Sequence, residues 1–597
     1  MTAGAFTEAQ QRYLEGLASG LAAGRLGRGG AGSAPAVAAP EAGAATPPGP
    51  DAAHHHAQDR FVAAGRSLTP EERAKREKHP FDMGDEMHAN AAAGRFPKGL
   101  DVFRYKFHGL FYVGPTQDAF MCRLRVPHGT LTAPQLRGVA EIAERWAGGY
   151  AHVTTRANLQ LREIAAGDAL RVLTALHDLG IVPRGAGADN VRNVTASPTA
   201  GIDPQELLDA RPHARELHHR ILGSRELYGL PRKFNVAFDG GGRVSTVVDT
   251  NDVGFAATRV RDGADVPPGV YYRILLGGVT GHGDFAADTG FVVAPADAAA
   301  AAVAIVRVYL EHGDRTDRAR ARLKYLLADW GVAAFMARVR ARAGVALHAV
   351  PASACEPRAP IDRLGHVGVH PQRDPARRWV GVALRVGRLE AAQMRGLAAV
   401  AERDGGGEVR LTVWQNLLIP DVPAERVDAV EHALAALDLT CRPTAIRAGL
   451  VACTGNRGCK FAASDTKGHG EAIVRHLERR LTLDQPLNVH LTGCPNSCAQ
   501  HYVGDIGLLG TRIAVDDETE VEGYHVLLGG GCDERQALAV ELARDVPAER
   551  VPALLAWLLE LHAAHRRDAG ERFDAFVRRL GIREIARLLA AAAGDPA

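Results

Sequence analysis

Two stretches of the chain set apolar and polar residues in the same order. In GTLTAPQLRGVAEIAERWAGGYAHVTTRANLQLR, which starts at Gly129, the run QLRGVAEIAERW has helical spacing. MCRLRVP before it and YAHVTTRANLQLR after it alternate with period two, which predicts strands. GRLEAAQMRGLAAVAERDGGGEVRLTVWQNLLIP, which starts at Gly387, repeats the pattern. Gln135, Arg137, Gly138, Glu144, Arg145, Thr154, Asn158 and Leu159 each recur 258 residues later. Two further echoes keep the same order: VGFAATR from Val253 against IGLLGTR from Ile506, and RILLGGV from Arg273 against HVLLGGG from His525. Near-constant offsets mean an internal duplication, and two copies make a pseudo-dimer rather than a solenoid. Each copy opens as strand, helix, strand and continues with mixed elements and Gly-rich turns. The fold class predicted is α+β, a duplicated unit about a pseudo-two-fold axis. Residues 546–593 read as helical.

The N-terminal stretch reads differently. Phe6, Tyr13, Leu14, Leu17 and Leu21 fall near one face of an amphipathic helix. Residues 24–58 are rich in Ala, Gly and Pro and poor in large apolar groups, which predicts a disordered linker. Gly27, Gly29 and Gly32 spell a dinucleotide fingerprint, but no strand precedes them, so the match is discarded. His54, His55 and His56 read as an exposed run in that linker, with no role.

The length of 597 residues allows several domains, and a net charge of +2 points to no nucleic-acid partner. No stretch approaches the ~18 apolar residues of a membrane span, and the N-terminus has no secretory pattern. A cytoplasmic enzyme is the expectation. Eight cysteines in this length do not make a disulfide framework. Cys122, Cys355, Cys441 and Cys532 are scattered and read as buried or free thiols.

The other four are paired. Cys453 and Cys459 stand as C-x5-C in ACTGNRGCK, and Cys494 and Cys498 as C-x3-C in LTGCPNSCAQ. Four thiolates match a cubane iron–sulfur cluster, one per iron. Gly455, Gly458 and Gly493 let backbone approach a bulky inorganic body, and Pro495 suits the start of a helix. Zinc and a disulfide are the competing readings; zinc pairs are usually C-x2–4-C, and x5 is loose for them. The matching part of the first copy, LPRKFNVAFDGGG, has no cysteine and offers cations instead. A site between the copies would draw on both.

In that segment Lys233 and Asn235 share one strand face, while Phe234 and Val236 point the other way. Arg123 and Arg125 share a face of MCRLRVP, and Arg192 lies in the polar turn DNVRNVTASP. His152, Thr154, Arg156, Asn158 and Gln160 alternate along HVTTRANLQL. Such a line of cations and hydrogen-bonding groups suits a polycarboxylate ligand.

Together these segments resemble the sirohaem-containing nitrite and sulfite reductases, on their assimilatory ferredoxin–nitrite reductase branch. The resemblance spans about residues 75–590 and rests on FHGLFYVGP, MCRLRVP, TTRANLQLR, NVRNVT, LPRKFNVAFDGG, C-x5-C and LTGCPNSC. It implies that Cys453, Cys459, Cys494 and Cys498 hold a [4Fe–4S] cluster, with Cys498 bridging to the sirohaem iron. It implies Arg123, Arg192, Lys233 and Asn235 around the anion, and Arg156, Gln160, His152, Thr154, Arg162 and Arg232 at the sirohaem carboxylates. It divides the chain into an N-terminal helix and linker (1–75), a first ferredoxin-like half (76–170) and a first sirohaem-binding α+β domain (171–345). A second ferredoxin-like half (346–435) and a cluster-bearing α+β domain with C-terminal helices (436–597) follow. The implied reaction is six-electron reduction of nitrite to ammonia. Sulfite reduction to sulfide on the same scaffold is the alternative. Sulfite reductases of the family carry Lys-Phe-Lys where Lys233-Phe234-Asn235 stands, and one cation fewer suits a monoanion. No flavin or nicotinamide domain is present, so the resemblance implies reduced ferredoxin or a similar donor, acting on a monomer. An iron–sulfur protein without a substrate would account for the cysteines but not for LPRKFN or NVRNV.

Overall fold

The computed structural model describes residues 49–516 and 518–593. The helix expected at Phe6–Leu21 and the Gly27–Gly32 motif lie outside them. Four sheets carry the described part. The first runs in the order Leu110–Val113, Ala119–Arg123, Leu159–Ile164, Tyr150–Val153 and Arg388–Glu390. Its counterpart runs Gly368–Pro371, Arg377–Val382, Leu417–Pro423, Glu408–Leu411 and Thr130–Thr132. Each copy therefore lends its edge strand to the other's sheet. Arg388 pairs with His152, and Thr130 pairs with Arg410 in the same register. The helices after these strands, Ala133–Trp146 and Ala391–Asp404, both start with a capping box, Thr132 with Gln135 and Glu390 with Gln393. They pack on each other and are tied by two equivalent ion pairs, Arg137–Glu402 and Arg395–Glu144. Gly138 and Gly396 recur because a Cβ there would come within 2.5 and 2.4 Å of Leu179 and Leu437. Leu136, Val139, Leu161, Leu397, Val400 and Leu411, drawn from both copies, share one core.

The larger parts of the two copies also match. Thr195–Ala196, Val236–Asp239 and Val253–Val260 are parallel neighbours, extended antiparallel by Gly269–Leu276, Ala287–Val293 and Leu347–Ala349. In the second copy Leu450–Ala452, Val489–Thr492 and Ile506–Ala514 are parallel, followed by Glu520–Leu528 and Val540–Pro547. Each sheet has its own apolar core. The C-terminal region is helical from Val551, with 546–547 closing the last strand.

Three local expectations fail. YAHVTTRANLQLR is a hairpin, not one strand: His152 pairs with Gln160, and the chain turns through Thr154–Asn158 with Ala157 at φ 46°. Thr154, Arg156 and Asn158 thus sit on the turn rather than on one strand face. Pro495 starts no helix; residues 494–500 form turns, with Ser497 at φ 53° and Gln500 at φ 54°. Residues 49–58 are not linker, because the helix Ala52–Ala63 begins there and buries His54 at 2% exposure. Polar contacts order that segment where apolar burial would not. Arg225 grips Asp51 with two hydrogen bonds at 3.0 and 2.7 Å, and Gln58 donates to Glu72 Oε2 at 2.8 Å.

Candidate active site at the junction of the two copies

The cysteine loops leave the carboxyl ends of two adjacent parallel strands, the usual place for a ligand in such sheets. Cys453 follows Leu450–Ala452, and Cys494 follows Val489–Thr492 after Gly493. Cys453 N donates to Leu491 O at 2.9 Å, which fixes the two loops side by side. Gly493 N and Gly455 N donate to Cys453 Sγ at 3.2 and 3.4 Å, and Asn496 Nδ2 to Cys494 Sγ at 3.5 Å. Donors aimed at sulfur favour thiolate and tune a cluster. Gly455 has φ +71°, and a Cβ on Gly493 would lie 2.6 Å from Ala462 Cβ, so both glycines are required by geometry. All eight cysteines are free thiols. Among the described residues no three His, Cys, Asp or Glu close on a single-ion site. A cubane would take one of the four paired thiols, as thiolate, at each of its corners. These four lie near enough to act on one another. Burial first, then Cys453, Cys494 and Cys459, push the Cys498 thiol up to about 11, while Lys233 opposes them. Cys498 is nonetheless exposed by area, so it faces a cleft.

The first copy supplies the charges around that cleft. Arg192 N donates to Phe234 O at 2.8 Å, and Phe234 N to Asn190 O at 3.0 Å, so the loop 185–194 and the segment 230–235 run together. Arg123 and Arg192 both donate to Ala186 O, at 3.5 and 3.3 Å. Arg123 lies 4.5 Å above the Phe111 ring. Burial lowers its pKa to about 10, and Cys498 is the leading charge opposing that shift. Burial, then Arg322, lower Lys233 to about 7, with Arg192 and Arg232 adding and Cys498 opposing. Arg123 and Lys233 thus act on Cys498, and Arg192 and Arg232 act in turn on Lys233. Asn235 N donates to Asp252 Oδ2 at 2.8 Å, and Arg322 holds Asp252 at 3.1 and 2.7 Å. The second copy repeats this: Asn488 N donates to Asp505 Oδ2 at 2.7 Å. Both residues recur 253 positions on, a signal that would have found Asp252.

The hairpin forms a further wall. Arg156 donates to Asn251 Oδ1 at 2.7 Å, Asn193 O at 3.0 Å and Val236 O at 3.3 Å. Thr154 Oγ1 accepts from Arg156 N at 3.3 Å, and Thr155 Oγ1 donates to Cys498 O at 3.0 Å. Arg162 crosses between the copies. Its guanidinium donates to His152 Nδ1 at 3.2 Å, Gln160 Oε1 at 3.0 Å, Thr454 Oγ1 at 2.7 Å and Gly458 O at 3.1 Å. Arg162 is thus largely committed to the loop between Cys453 and Cys459. Sequence reasoning missed that contact, since 296 residues separate Arg162 from Gly458.

Buried donors on these walls lack a partner, His152 Nε2, Arg156 Nε and Arg192 Nε among them, as do the acceptors Asn158 Oδ1, Asn190 Oδ1 and Asn193 Oδ1. Orphaned buried donors are costly, and their number beside an excess of cations fits a polyanionic cofactor lying against the thiols.

Known proteins resemble this chain in sequence and fold. The profile of the nitrite and sulphite reductase 4Fe–4S domain matches residues 187–347 and 446–596. That of the nitrite/sulfite reductase ferredoxin-like half domain matches 112–179 and 370–437. The chain is 34% identical over 527 residues to a chloroplastic ferredoxin–nitrite reductase of Zea mays, covering 84% of this chain and 91% of that protein. It is 32% identical to the assimilatory ferredoxin-dependent nitrite reductase of Haloferax mediterranei, covering 81% and 86%. The solved structure of the Mycobacterium tuberculosis NirA protein superposes with a TM-score of 0.80 at 29% identity, over 88% of this chain and 98% of that one.

Proposed function

As the chain belongs to the nitrite and sulphite reductase family, we propose that it is an assimilatory nitrite reductase that takes electrons from reduced ferredoxin and makes ammonia. Its cofactors are sirohaem and a [4Fe–4S] cluster. One observation carries the reading of the site: Arg123 and Lys233 of one copy act on Cys498 of the other, and Arg192 shares the Ala186 carbonyl with Arg123. When bound, the cofactors would relay the donor's electrons and supply the iron that meets the anion. Cys453, Cys459, Cys494 and Cys498 would hold the cluster, with Cys498 the thiolate that would also serve the sirohaem. Arg156, Gln160, His152, Thr154 and Arg232 would meet the sirohaem carboxylates, with Arg162 bracing the loop between Cys453 and Cys459. Arg123, Arg192 and Lys233 offset the charge of nitrite and polarise its N–O bonds. Lys233 brings protons as well as charge, and reduction of nitrite to ammonium consumes eight. The working unit is a single chain in the cytoplasm: one chain supplies both cations and thiols, and free thiols suit a reducing compartment. Among the described residues no helix is long and apolar enough to cross a membrane.

Asn235 favours nitrite over sulfite. It adds hydrogen-bonding capacity beside Lys233 without a second positive charge. An added cation stabilises a dianion more than a monoanion, and low dielectric enlarges the difference. Asn235→Lys should therefore raise the ratio of sulfite to nitrite kcat/KM, measured with reduced ferredoxin and with both cofactors intact. An unchanged or lowered ratio removes Asn235 as the basis of the nitrite assignment. Failure of reduced ferredoxin to drive ammonium formation from nitrite would remove the donor assignment.

A further inference from the structure

Two helices that precede both matched family profiles reach the back of the anion site. Gln58 on Ala52–Ala63 donates to Glu72 O at 3.0 Å and to Glu72 Oε2 at 2.8 Å. Glu72 and Lys75 lie on Pro70–Glu77 and pair with each other. Lys75 Nζ donates to Leu230 O at 2.7 Å and stands 3.7 Å from Asp189 Oδ2. Arg315 donates to Glu72 Oε2 at 2.7 Å and to Gly229 O at 2.8 Å. Arg318 clasps Asp189 with hydrogen bonds at 2.8 and 2.9 Å. Gln58, Glu72, Lys75, Asp189 and Arg315 are each exposed by 1% or less.

The two groups that meet Lys75 have a definite place in the chain. Leu230 lies three residues before Lys233, and Asp189 lies three before Arg192. The segments carrying Lys233 and Arg192 are hydrogen-bonded to each other further on, at Phe234. Lys75 closes the other end of that ladder. Without it the two segments can pivot about Phe234, and the cations they carry separate or tilt. A buried ion network adds little net stability over apolar packing of equal volume, so geometric specificity is its better-supported use here. Groups that contact a reacting ligand need support that fixes them to a fraction of an ångström.

We propose that Lys75, held by Glu72, is a positioning residue of the anion pocket: it sets the distance between Lys233 and Arg192. This rests on the reading of Lys233 and Arg192 as ligands of nitrite. A function thereby falls to residues 52–77, which lie outside both matched family regions.

The test uses the loaded enzyme and two haem ligands of different charge. Nitrite reads the cations; carbon monoxide, which is neutral, reads the reduced iron alone. Both affinities come from absorbance titration of the sirohaem band, for wild type, Lys75→Met and Glu72→Gln. A 1 Å misplacement costs ~10²-fold, so the partly relaxed pocket of Lys75→Met should bind nitrite about tenfold more weakly. Carbon monoxide affinity and iron content should stay at wild-type values. Glu72→Gln separates positioning from bulk charge, because it removes a negative charge. Bulk electrostatics predicts tighter nitrite binding, while positioning predicts weaker binding, as in Lys75→Met. Unchanged nitrite affinity in a loaded variant, tighter binding in Glu72→Gln, or loss of cofactors from both variants would each overturn the proposal. A wild-type protein that binds carbon monoxide but not nitrite would instead overturn the reading of the pocket itself.

Discussion

Replacing Arg162 with Met should loosen the cluster, although Arg162 is no cysteine and lies in the other copy. The side chain is 3% exposed and makes four hydrogen bonds of 2.7–3.2 Å, two of them to the loop between Cys453 and Cys459. A hydrogen bond from a charged donor contributes ~1.5–3 kcal/mol, but four on one guanidinium are not additive. The two bonds to the cluster loop together contribute about 3–4 kcal/mol. Met leaves Thr454 Oγ1 and Gly458 O without that donor, so the cost falls on the cluster loop. At 1.4 kcal/mol per factor of ten, the open loop should be populated about 10²- to 10³-fold more often. The assay is the rate at which an excess of an iron(II) chelator strips the cluster from the folded enzyme. Where loop opening limits access, that rate should rise by the same factor. Gly458→Ala should act in the same direction, because its Cβ would meet Arg162 Nη1 at 2.5 Å. A stripping rate for Arg162→Met within about threefold of wild type would refute this reasoning, since even ~1.5 kcal/mol exceeds it.

Further outcomes follow from the same geometry. Cys498→Ser should alter both the cluster signal and the sirohaem band; loss of the cluster with an unchanged sirohaem spectrum would reject the shared thiolate. Lys233→Met and Arg192→Ala should each lower nitrite turnover by ~10²–10³ while iron content is kept, as removal of one preorganised donor does; near wild-type turnover in both would reject the pocket. Burial first, then His370, lower the His366 pKa to about 3, while its unfolded value is about 6.5. The neutral ring therefore contributes stability that is present above about pH 6.5 and is lost as pH falls toward 3. His366→Gln keeps an acceptor for Asn416 Nδ2 and should flatten the acid limb of the stability curve by up to ~1.4 kcal/mol per pH unit. An unchanged slope would mean that His366 does not carry it.

The duplication was legible because helix and strand periods survive divergence and because Gly138, Gln135, Arg137 and Glu144 recur with a structural purpose, the last two in the ion pairs between the copies. The exchange of edge strands was not, since Thr130–Thr132 pairs with residues almost 280 positions away and nothing local encodes it. The hairpin at Thr154–Asn158 escaped notice because Ala157 takes a left-handed conformation without the Gly, Asn or Asp that would announce a turn. The N-terminal arm was misread for a different reason: composition measures apolar burial, and this arm is fixed by Asp51–Arg225 and Gln58–Glu72 contacts. The cysteines and the cations were visible as residue types at telling spacings. Their convergence on one space, and the Arg162 contact behind it, depend on pairing between copies that only the fold supplies.

The central claim is that this scaffold reduces nitrite in preference to sulfite. Steady-state turnover of the purified, cofactor-loaded protein with reduced methyl viologen, given nitrite or sulfite in parallel, tests it most directly. The account predicts one ammonium for every six electrons consumed and a higher kcat/KM for nitrite. A higher kcat/KM for sulfite, or electron consumption from nitrite without ammonium, would contradict it.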